Sequence, residues 1–139
     1  MLMFLNKTIM AKNEIVSPYF EDGKFAGVRV CVGGEDFVIA PKDYNQGNSM
    51  PWPEAMDALN ADGLTTWNYR QICLAMAYRK EIDKVLISNG GDSLDKTYLT
   101  SAEYTIYYIY IYDGHFNTTE VFHKNYRWSI RPIKNLKEE

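Results

Sequence analysis

The residues best suited to recognition chemistry are concentrated in one segment of the chain, residues 104–128. Tyrosine is the most frequent aromatic residue, with 11 copies against 6 phenylalanines and 3 tryptophans. A tyrosine side chain offers a rigid, amphipathic contact surface and loses little entropy on binding, so it is enriched where proteins recognise varied partners. The segment holds six of the tyrosines and both histidines: Tyr104, Tyr107, Tyr108, Tyr110, Tyr112, Tyr126, His115 and His123.

The sequence contains a complete set of residues neither for metal binding nor for covalent catalysis. His115 and His123 have no third metal ligand at a matching spacing. Cys31 and Cys73 form no CxxC motif and have no activating neighbours, so they are expected to be free, buried thiols. We therefore expect a chain that is not an enzyme and that holds no metal and no cofactor.

Composition indicates one globular domain with no nucleic-acid or membrane role. The 139 residues are 46% hydrophobic and 24% charged, with a formal net charge of −3. An acidic balance without a run of Lys or Arg disfavours binding to nucleic acid or to an anionic membrane. No stretch approaches the ~20 apolar residues of a membrane span, and residues 1–10 show no visible signal peptide. The localisation therefore stays open.

The elements around the tyrosine-rich segment predict an α+β domain. Residues 25–32 and 37–40, separated by Gly33-Gly34, predict a β-hairpin. Two or three helices follow: one over 51–60 with prolines in its first turn, one capped by Thr65-Thr66, and one over 80–88. The antiparallel strands of the second half end in a strand over 127–133, and a charged tail covers 134–139.

The alternation of tyrosine and isoleucine over residues 108–112 is the clearest local pattern and predicts a β-strand. Asp113-Gly114 predicts a two-residue type I′ turn, which would place Tyr112 opposite His115 and Tyr110 opposite Asn117. One face of this hairpin would then pack on the core: Ile109, Ile111, Phe116 and Thr118. The other face would meet solvent: Tyr108, Tyr110, Tyr112, His115, Asn117 and Thr119.

Five short motifs follow one another in the order seen in a known family. They are Gly63-Leu64-Thr65-Thr66-Trp67, Ser88-Asn89-Gly90-Gly91-Asp92-Ser93-Leu94, Tyr98-Leu99-Thr100-Ser101-Ala102-Glu103, Asp113-Gly114 and Ser129-Ile130-Arg131-Pro132-Ile133. Over residues 51–133 the chain resembles C-type-lectin-fold domains that share the frame G-RLPT, ANGGDPL, YWSSTE, F-DG and VRPV. Several of these are variable proteins of diversity-generating retroelements, found in phages and gut bacteria.

The resemblance implies a C-type-lectin-like domain over 23–133, preceded by an N-terminal extension over 1–22 that is an edge strand or an assembly segment. In that family, the segment between the WSSTE-like and VRPV-like motifs is diversified by adenine-directed mutagenesis and forms the ligand-binding surface. Here that segment is residues 104–128. The implied ligand-binding residues are Tyr104, Tyr107, Tyr108, Tyr110, Tyr112, His115, Asn117, Thr119, His123 and Tyr126.

The expected partner is a protein or glycan on a cell surface, recognised from a phage tail tip or by a displayed bacterial receptor. The alternatives are that the tyrosines form the subunit interface of an oligomerising structural protein, or that they cover a second hydrophobic layer. The Glu-Pro-Asn and Trp-Asn-Asp triplets of calcium-dependent lectins are absent, which disfavours a calcium lectin. Formylglycine-generating enzymes share the fold, but Cys31 and Cys73 do not match their reactive pair. Glu103 and Arg131 belong to the fixed frame and are expected to form an ion pair.

Overall fold

Two tight hairpins build the first sheet in the computed structural model, which describes residues 14–136. Strands β1 (Val16–Glu21), β2 (Lys24–Val32) and β3 (Glu35–Ile39) are joined by Asp22-Gly23 and by Gly33-Gly34. All four turn residues have positive φ, between 52° and 84°, as type I′ turns require. The predicted hairpin over 25–32 and 37–40 is therefore confirmed, and β1 adds a third strand to it.

That additional strand, β1, lies within the predicted N-terminal extension. It pairs with β2 and forms one edge of an antiparallel sheet in the order β1-β2-β3-β9, where β9 is Ile133–Asn135. Residues 1–13 of the extension and residues 137–139 of the charged tail lie outside the described part of the chain.

Three helices follow, as the sequence predicts: α1 (Trp52–Ala61), α2 (Tyr69–Ala77) and α3 (Arg79–Ser88). The predicted cap of α2 was wrong. Asn68, not Thr65-Thr66, caps this helix, through a reciprocal pair of hydrogen bonds with Gln71 of 2.8 and 2.9 Å. The threonines bind the C-terminal segment instead, since the Thr66 hydroxyl donates to the Arg131 carbonyl at 2.9 Å.

The tyrosine-rich segment lies in a second antiparallel sheet with the order β5-β6-β7. Its strands are β5 (Thr97–Glu103), β6 (Tyr108–Asp113) and β7 (Thr118–His123). The predicted final strand over 127–133 is not continuous. It is divided into β8 (Arg127–Trp128), which pairs with β4 (Met50–Pro51), and β9 in the first sheet. The α+β class with helices and antiparallel sheets is thus confirmed.

Two apolar clusters fill the molecule, one on each side of the second sheet. The first lies between the four-stranded sheet and helices α2 and α3, and it includes Trp67, Tyr98 and Tyr112. The second packs α1 against the isoleucines of β6, Ile109 and Ile111. Both faces of β6 therefore contribute to a core.

Arg131 is fully buried and forms its ion pair with Asp43, not with Glu103 as expected. Its Nε lies 2.8 Å from the Asp43 carboxylate, and its Nη1 donates to the carbonyls of Ala40 and Asp92, each at 3.0 Å. Glu103 pairs instead with Lys124. The cysteines also differ from expectation, because both are free but exposed.

The Asp113-Gly114 turn is the largest departure from the predicted local structure. Asp113 pairs with Thr118, so the loop has four residues, 114–117, and the register of the hairpin differs from the predicted one. The Asp113 carboxylate accepts hydrogen bonds from the backbone N–H groups of His115 and Phe116, at 3.0 and 3.3 Å, which stabilises this longer loop. Asn117, not Gly114, takes the positive φ, of 56°.

Gly114 lies so close to the backbone of Leu94 that a larger residue at this position should destabilise the fold. A Cβ at this position would lie 1.9 Å from the Leu94 carbonyl oxygen. We expect Gly114→Asn to lower the free energy of unfolding by about 3 kcal/mol or more, measured by urea denaturation. The matched control is Gly63→Asn, at φ 70° with open space around it, which should cost below about 1 kcal/mol. Equal losses for the two variants would contradict the close-approach explanation.

Candidate functional site

The tyrosines of β6 share one face of the second sheet but differ in burial. In an antiparallel sheet, directly opposed residues lie on the same face, so Tyr108, Tyr110 and Tyr112 share theirs with His123, Val121 and Thr119. Tyr112 is fully buried, Tyr110 is half-buried and Tyr108 is 43% exposed. The face therefore passes from core to surface along a single strand.

Two aromatic residues, one just before α2 and one at its first position, explain this gradient. The Trp67 ring packs 5.7 Å from the Tyr112 ring, and the Tyr69 ring packs 4.7 Å from the Tyr110 ring. At the end of the strand, Tyr108 contacts the imidazole of His123 at 5.4 Å. The segment from Trp67 to Tyr69 thus covers two of the three tyrosines and leaves the third open.

Tyr112 is structural, which corrects its predicted place on the solvent face. Its hydroxyl donates to the Asn117 side-chain oxygen at 2.6 Å and accepts from Arg79 Nη1 at 3.0 Å. Asn117 also donates to the Met76 carbonyl, so it belongs to the same buried network. Burial raises the pKa of the Tyr112 hydroxyl, and the neighbouring Arg79 guanidinium opposes that rise. The phenol is therefore held neutral as a hydrogen-bonding bridge.

A group of aromatic and apolar side chains, all exposed except the half-buried His123, lies at the opposite end of the hairpin, and we call it the tyrosine surface. Three members are tyrosines that are more than half exposed, and they come from the β5–β6 loop and from the turn after β7. The other members lie near them in the chain or across the β6–β7 pair. Ring contacts join Tyr107 and Tyr108 to His123 at 6.3 and 5.4 Å. The tyrosine surface comprises Tyr104, Ile106, Tyr107, Tyr108, Val121, His123 and Tyr126.

The loop that carries the first part of this surface is held by its own hydrogen bonds. The Thr105 hydroxyl oxygen accepts from the backbone N–H groups of Tyr107 and Tyr108, both at 3.2 Å. The Tyr104 N–H donates to the Tyr108 carbonyl at 2.9 Å. These bonds satisfy the loop backbone internally and direct the side chains of Tyr104, Ile106 and Tyr107 into solvent. Such an ordered loop loses little further entropy when it binds.

Lys124 fixes the other side of the surface to the body of the domain. Its Nζ lies 2.5 Å from the Glu103 carboxylate and 4.3 Å from the centre of the Trp52 ring. Its backbone N–H donates to the Tyr107 carbonyl at 3.0 Å, and its carbonyl accepts from Trp52 at 3.1 Å. The end of β7 is thereby linked to β5, to the loop before β6 and to α1.

An open depression of about 550 Å³ lies within the tyrosine surface along β7. Its lining is aromatic and apolar, with one imidazole and one amide: Tyr108, Val121, Phe122, His123, Asn125 and Tyr126. Phe122 packs against Tyr126 and Trp128 at 5.5 and 5.3 Å, so the floor is supported by further rings. The depression suits an apolar side chain flanked by hydrogen-bonding groups.

The structure brings together most of the predicted ligand-binding residues and separates four of them. Tyr104, Tyr107, Tyr108, His123 and Tyr126 belong to the tyrosine surface, and Tyr110 lies beneath it in contact with Tyr104 at 5.5 Å. His115 lies in the loop at the other end of the hairpin, about 17 Å away along the strands. Tyr112 and Asn117 belong to the buried network, and the Thr119 hydroxyl donates to the Ile111 carbonyl.

The prediction for Phe116 was also wrong, in the opposite direction. This side chain was expected in the core, and it is 70% exposed. Its ring makes an edge-to-face contact with the His115 ring in the four-residue loop. The changed register of the hairpin places Phe116 in this loop and so causes its exposure.

Sequence reasoning missed Val121, Ile106 and the supporting ring of Tyr69. Val121 follows from the hairpin register alone, because it lies opposite Tyr110 once Asp113 pairs with Thr118. Ile106 stands within the segment that composition had singled out, but its exposure depends on the loop conformation. No local signal could identify Tyr69, since its contact with Tyr110 depends on how α2 packs.

No protein-family model matches the chain, and no curated protein sequence matches it. Within residues 14–136, no group of three or more His, Cys, Asp and Glu side chains is arranged to hold a metal ion. None of the helices in that range is long and apolar enough to cross a membrane. The geometry of the tyrosine surface is therefore the basis for assigning a function.

Alanine substitutions on one strand should separate structural from surface tyrosines. We expect Tyr112→Ala to lower the free energy of unfolding by about 3–5 kcal/mol, because it leaves a cavity and unpaired partners. Tyr108→Ala removes an exposed ring and should change it by about 0.5 kcal/mol. Urea denaturation of both variants gives the comparison, and similar losses would contradict the burial gradient along β6.

Proposed function

We propose that this chain is a ligand-binding module of the C-type-lectin type, without catalytic turnover, and that the tyrosine surface recognises a protein or glycan on a cell surface. The observation that carries the proposal is the exposure of several large aromatic side chains on a hydrogen-bonded framework. Tyr104, Tyr107 and Tyr126 are 58%, 63% and 55% exposed, and Tyr126 also lines the depression along β7. A contiguous exposed aromatic patch marks a binding site more often than it marks ordinary surface.

The surroundings of the surface support recognition. The depression offers apolar contact from Val121 and Phe122 and polar groups from His123 and Asn125. This mixture resembles antibody combining sites, in which tyrosines supply contact area and small polar groups supply adaptable hydrogen bonds. The location within residues 104–128 also agrees with the variable segment that the family resemblance implies.

A binding comparison tests this proposal directly. The labelled protein is screened against a printed glycan array and a displayed library of peptides and small domains. We expect the triple variant Tyr104→Ala, Tyr107→Ala, Tyr108→Ala to lose at least about 30-fold in affinity for any ligand found, as removal of one hot-spot residue does. Its stability should stay close to that of the parent, since these rings are exposed.

The matched control is the double variant Phe20→Ala, Ile87→Ala, which removes two exposed apolar side chains elsewhere. Equal affinity loss in the control, or no ligand in either library, would overturn the proposal. Sedimentation of the parent and triple variant addresses the alternative function. An assembly that dissociates in the triple variant would indicate that the tyrosines are a subunit interface.

The proposed membership of a diversified family makes a separate genetic prediction. Sequences of this gene from several isolates should differ mainly at exposed positions of residues 104–128, such as Tyr104, Tyr107 and Tyr108. Ile109, Ile111 and Tyr112 should not vary, because each is buried in a core cluster. Flanking DNA should contain a near-copy of the segment and a reverse transcriptase gene. Substitutions spread evenly along the chain would remove the diversification hypothesis.

A further inference from the structure

Strand β7 is an edge strand with an open row of backbone groups. It pairs only with β6 among residues 14–136, because the sheet order is β5-β6-β7. The hydrogen bond from Lys124 N–H to the Tyr107 carbonyl extends the ladder and fixes its alternation. Phe122 and Glu120 therefore exchange hydrogen bonds with β6, whereas the N–H and C=O groups of Thr119 and Val121 point away from the sheet.

Two other sheet edges in the described part of the chain, those of β1 and β5, carry features that prevent further pairing. Strand β1 contains Pro18 and an irregular register between Tyr19 and Phe20. The outer side of β5 is occupied by Ser129, which exchanges hydrogen bonds with Thr97 and Leu99. Proline, bulges and covering segments are the usual protections of edge strands. The β6–β7 register is continuous and β7 has no proline, so its edge lacks these protections.

The depression in the tyrosine surface lies across this open edge. Its lining includes Val121 and His123 from one face of β7 and Phe122 from the other. An extended chain placed beside β7 would alternate its side chains between the same two faces. Residues opposite Thr119 and Val121 would lie on the face of Tyr108, and the residue opposite Glu120 would lie on the face of Phe122.

We propose that the ligand of the tyrosine surface is a protein whose extended segment adds to β7 as a fourth strand, with a Lys or Arg opposite Glu120 and apolar residues on either side of it. This inference rests on the proposed function and specifies its ligand class. Backbone hydrogen bonds to Thr119 and Val121 hold the segment, and the apolar residues contact the tyrosine surface.

Charge distinguishes such a segment from a second copy of this chain. Glu120 is exposed and forms no ion pair within residues 14–136. If a second copy added its β7 antiparallel to this one, the two-fold axis relating the two strands would pass beside residue 119, 120 or 121. In each of these registers the two Glu120 carboxylates would lie opposite or diagonal to each other on one face, where like charges repel. A basic residue opposite Glu120 gives an attractive cross-strand pair instead.

The test compares two displayed libraries of seven-residue peptides, one with the central triplet apolar-Lys-apolar and one with apolar-Glu-apolar. We expect enrichment from the Lys library only, and reversed preference for Glu120→Lys. In synthetic binders, N-methylation of the amides that face β7, every second one, should reduce affinity at least about 30-fold, and methylation of the intervening amides should not. The N-methylation experiment uses the unmodified protein, so its result does not depend on the folding of any variant.

Protein variants test the edge itself. Val121→Pro removes an outward N–H and leaves the β6 hydrogen bonds of Glu120 and Phe122 in place, so it should abolish peptide binding. Val121→Thr is the matched control, and it should bind within about threefold of the parent.

Each remaining outcome separates this inference from the proposed function. Peptide binding that is lost in the triple tyrosine variant but unaffected by Val121→Pro and by N-methylation overturns the strand addition and leaves the binding function standing. Glycan binding without any peptide binding does the same. A dimeric parent that Val121→Pro converts to a monomer overturns the inference in favour of a second copy. Absence of all binding overturns both proposals.

Discussion

The buried ion pair of Arg131 and Asp43 is the constraint on which the arrangement of the second half depends. A charged guanidinium with no exposed surface is tolerated only when its donors are satisfied, and removal of one partner from such a pair costs about 3–5 kcal/mol. Arg131 reaches Asp43, the carbonyls of Ala40 and Asp92, and the Ser93 carbonyl at 3.2 Å. It therefore joins two loops to the segment between β8 and β9. This fixes where the second sheet lies against the first.

Tyr98 connects this ion pair to the tyrosines of β6. Arg131 lies 5.6 Å from the Tyr98 ring, and the Tyr98 ring stacks 6.4 Å from Tyr112. Burial raises the pKa of the Tyr98 hydroxyl to about 12, so this phenol stays neutral across the physiological range. The role of each tyrosine then depends on its distance from the ion pair along one sheet face. Those nearest to it complete the core, and those at the far end are free to contact a ligand.

Elements whose signals are local were predictable from the sequence, and features set by distant contacts were not. The alternation over residues 108–112 correctly predicts β6, and the Gly33-Gly34 turn predicts the first hairpin. Asp-Gly occurs three times, at the end of α1 and in two connections between strands; of these two connections, Asp22-Gly23 forms a type I′ turn and Asp113-Gly114 does not. The difference at the second site is the contact of Gly114 with the backbone of Leu94 and Lys96, which no local pattern contains. The burial of Tyr112 likewise depends on Trp67 and on Arg79, and the partner of Arg131 lies far away in sequence.

Under the proposed function, the same division would let a surface whose side chains vary keep a constant means of binding. In the proposed arrangement, Thr119 and Val121 bind through backbone groups, and backbone hydrogen bonds do not depend on which side chain is present. The exposed tyrosines then supply specificity through contact area, which does change with sequence. Substitutions at Tyr104 or Tyr107 remove no core contact, whereas the hydrogen bonds of Thr105 and Lys124 maintain the loop that presents them. In this proposal, a fixed edge beside a variable aromatic surface separates baseline affinity from selectivity, and it separates the stability of the domain from both.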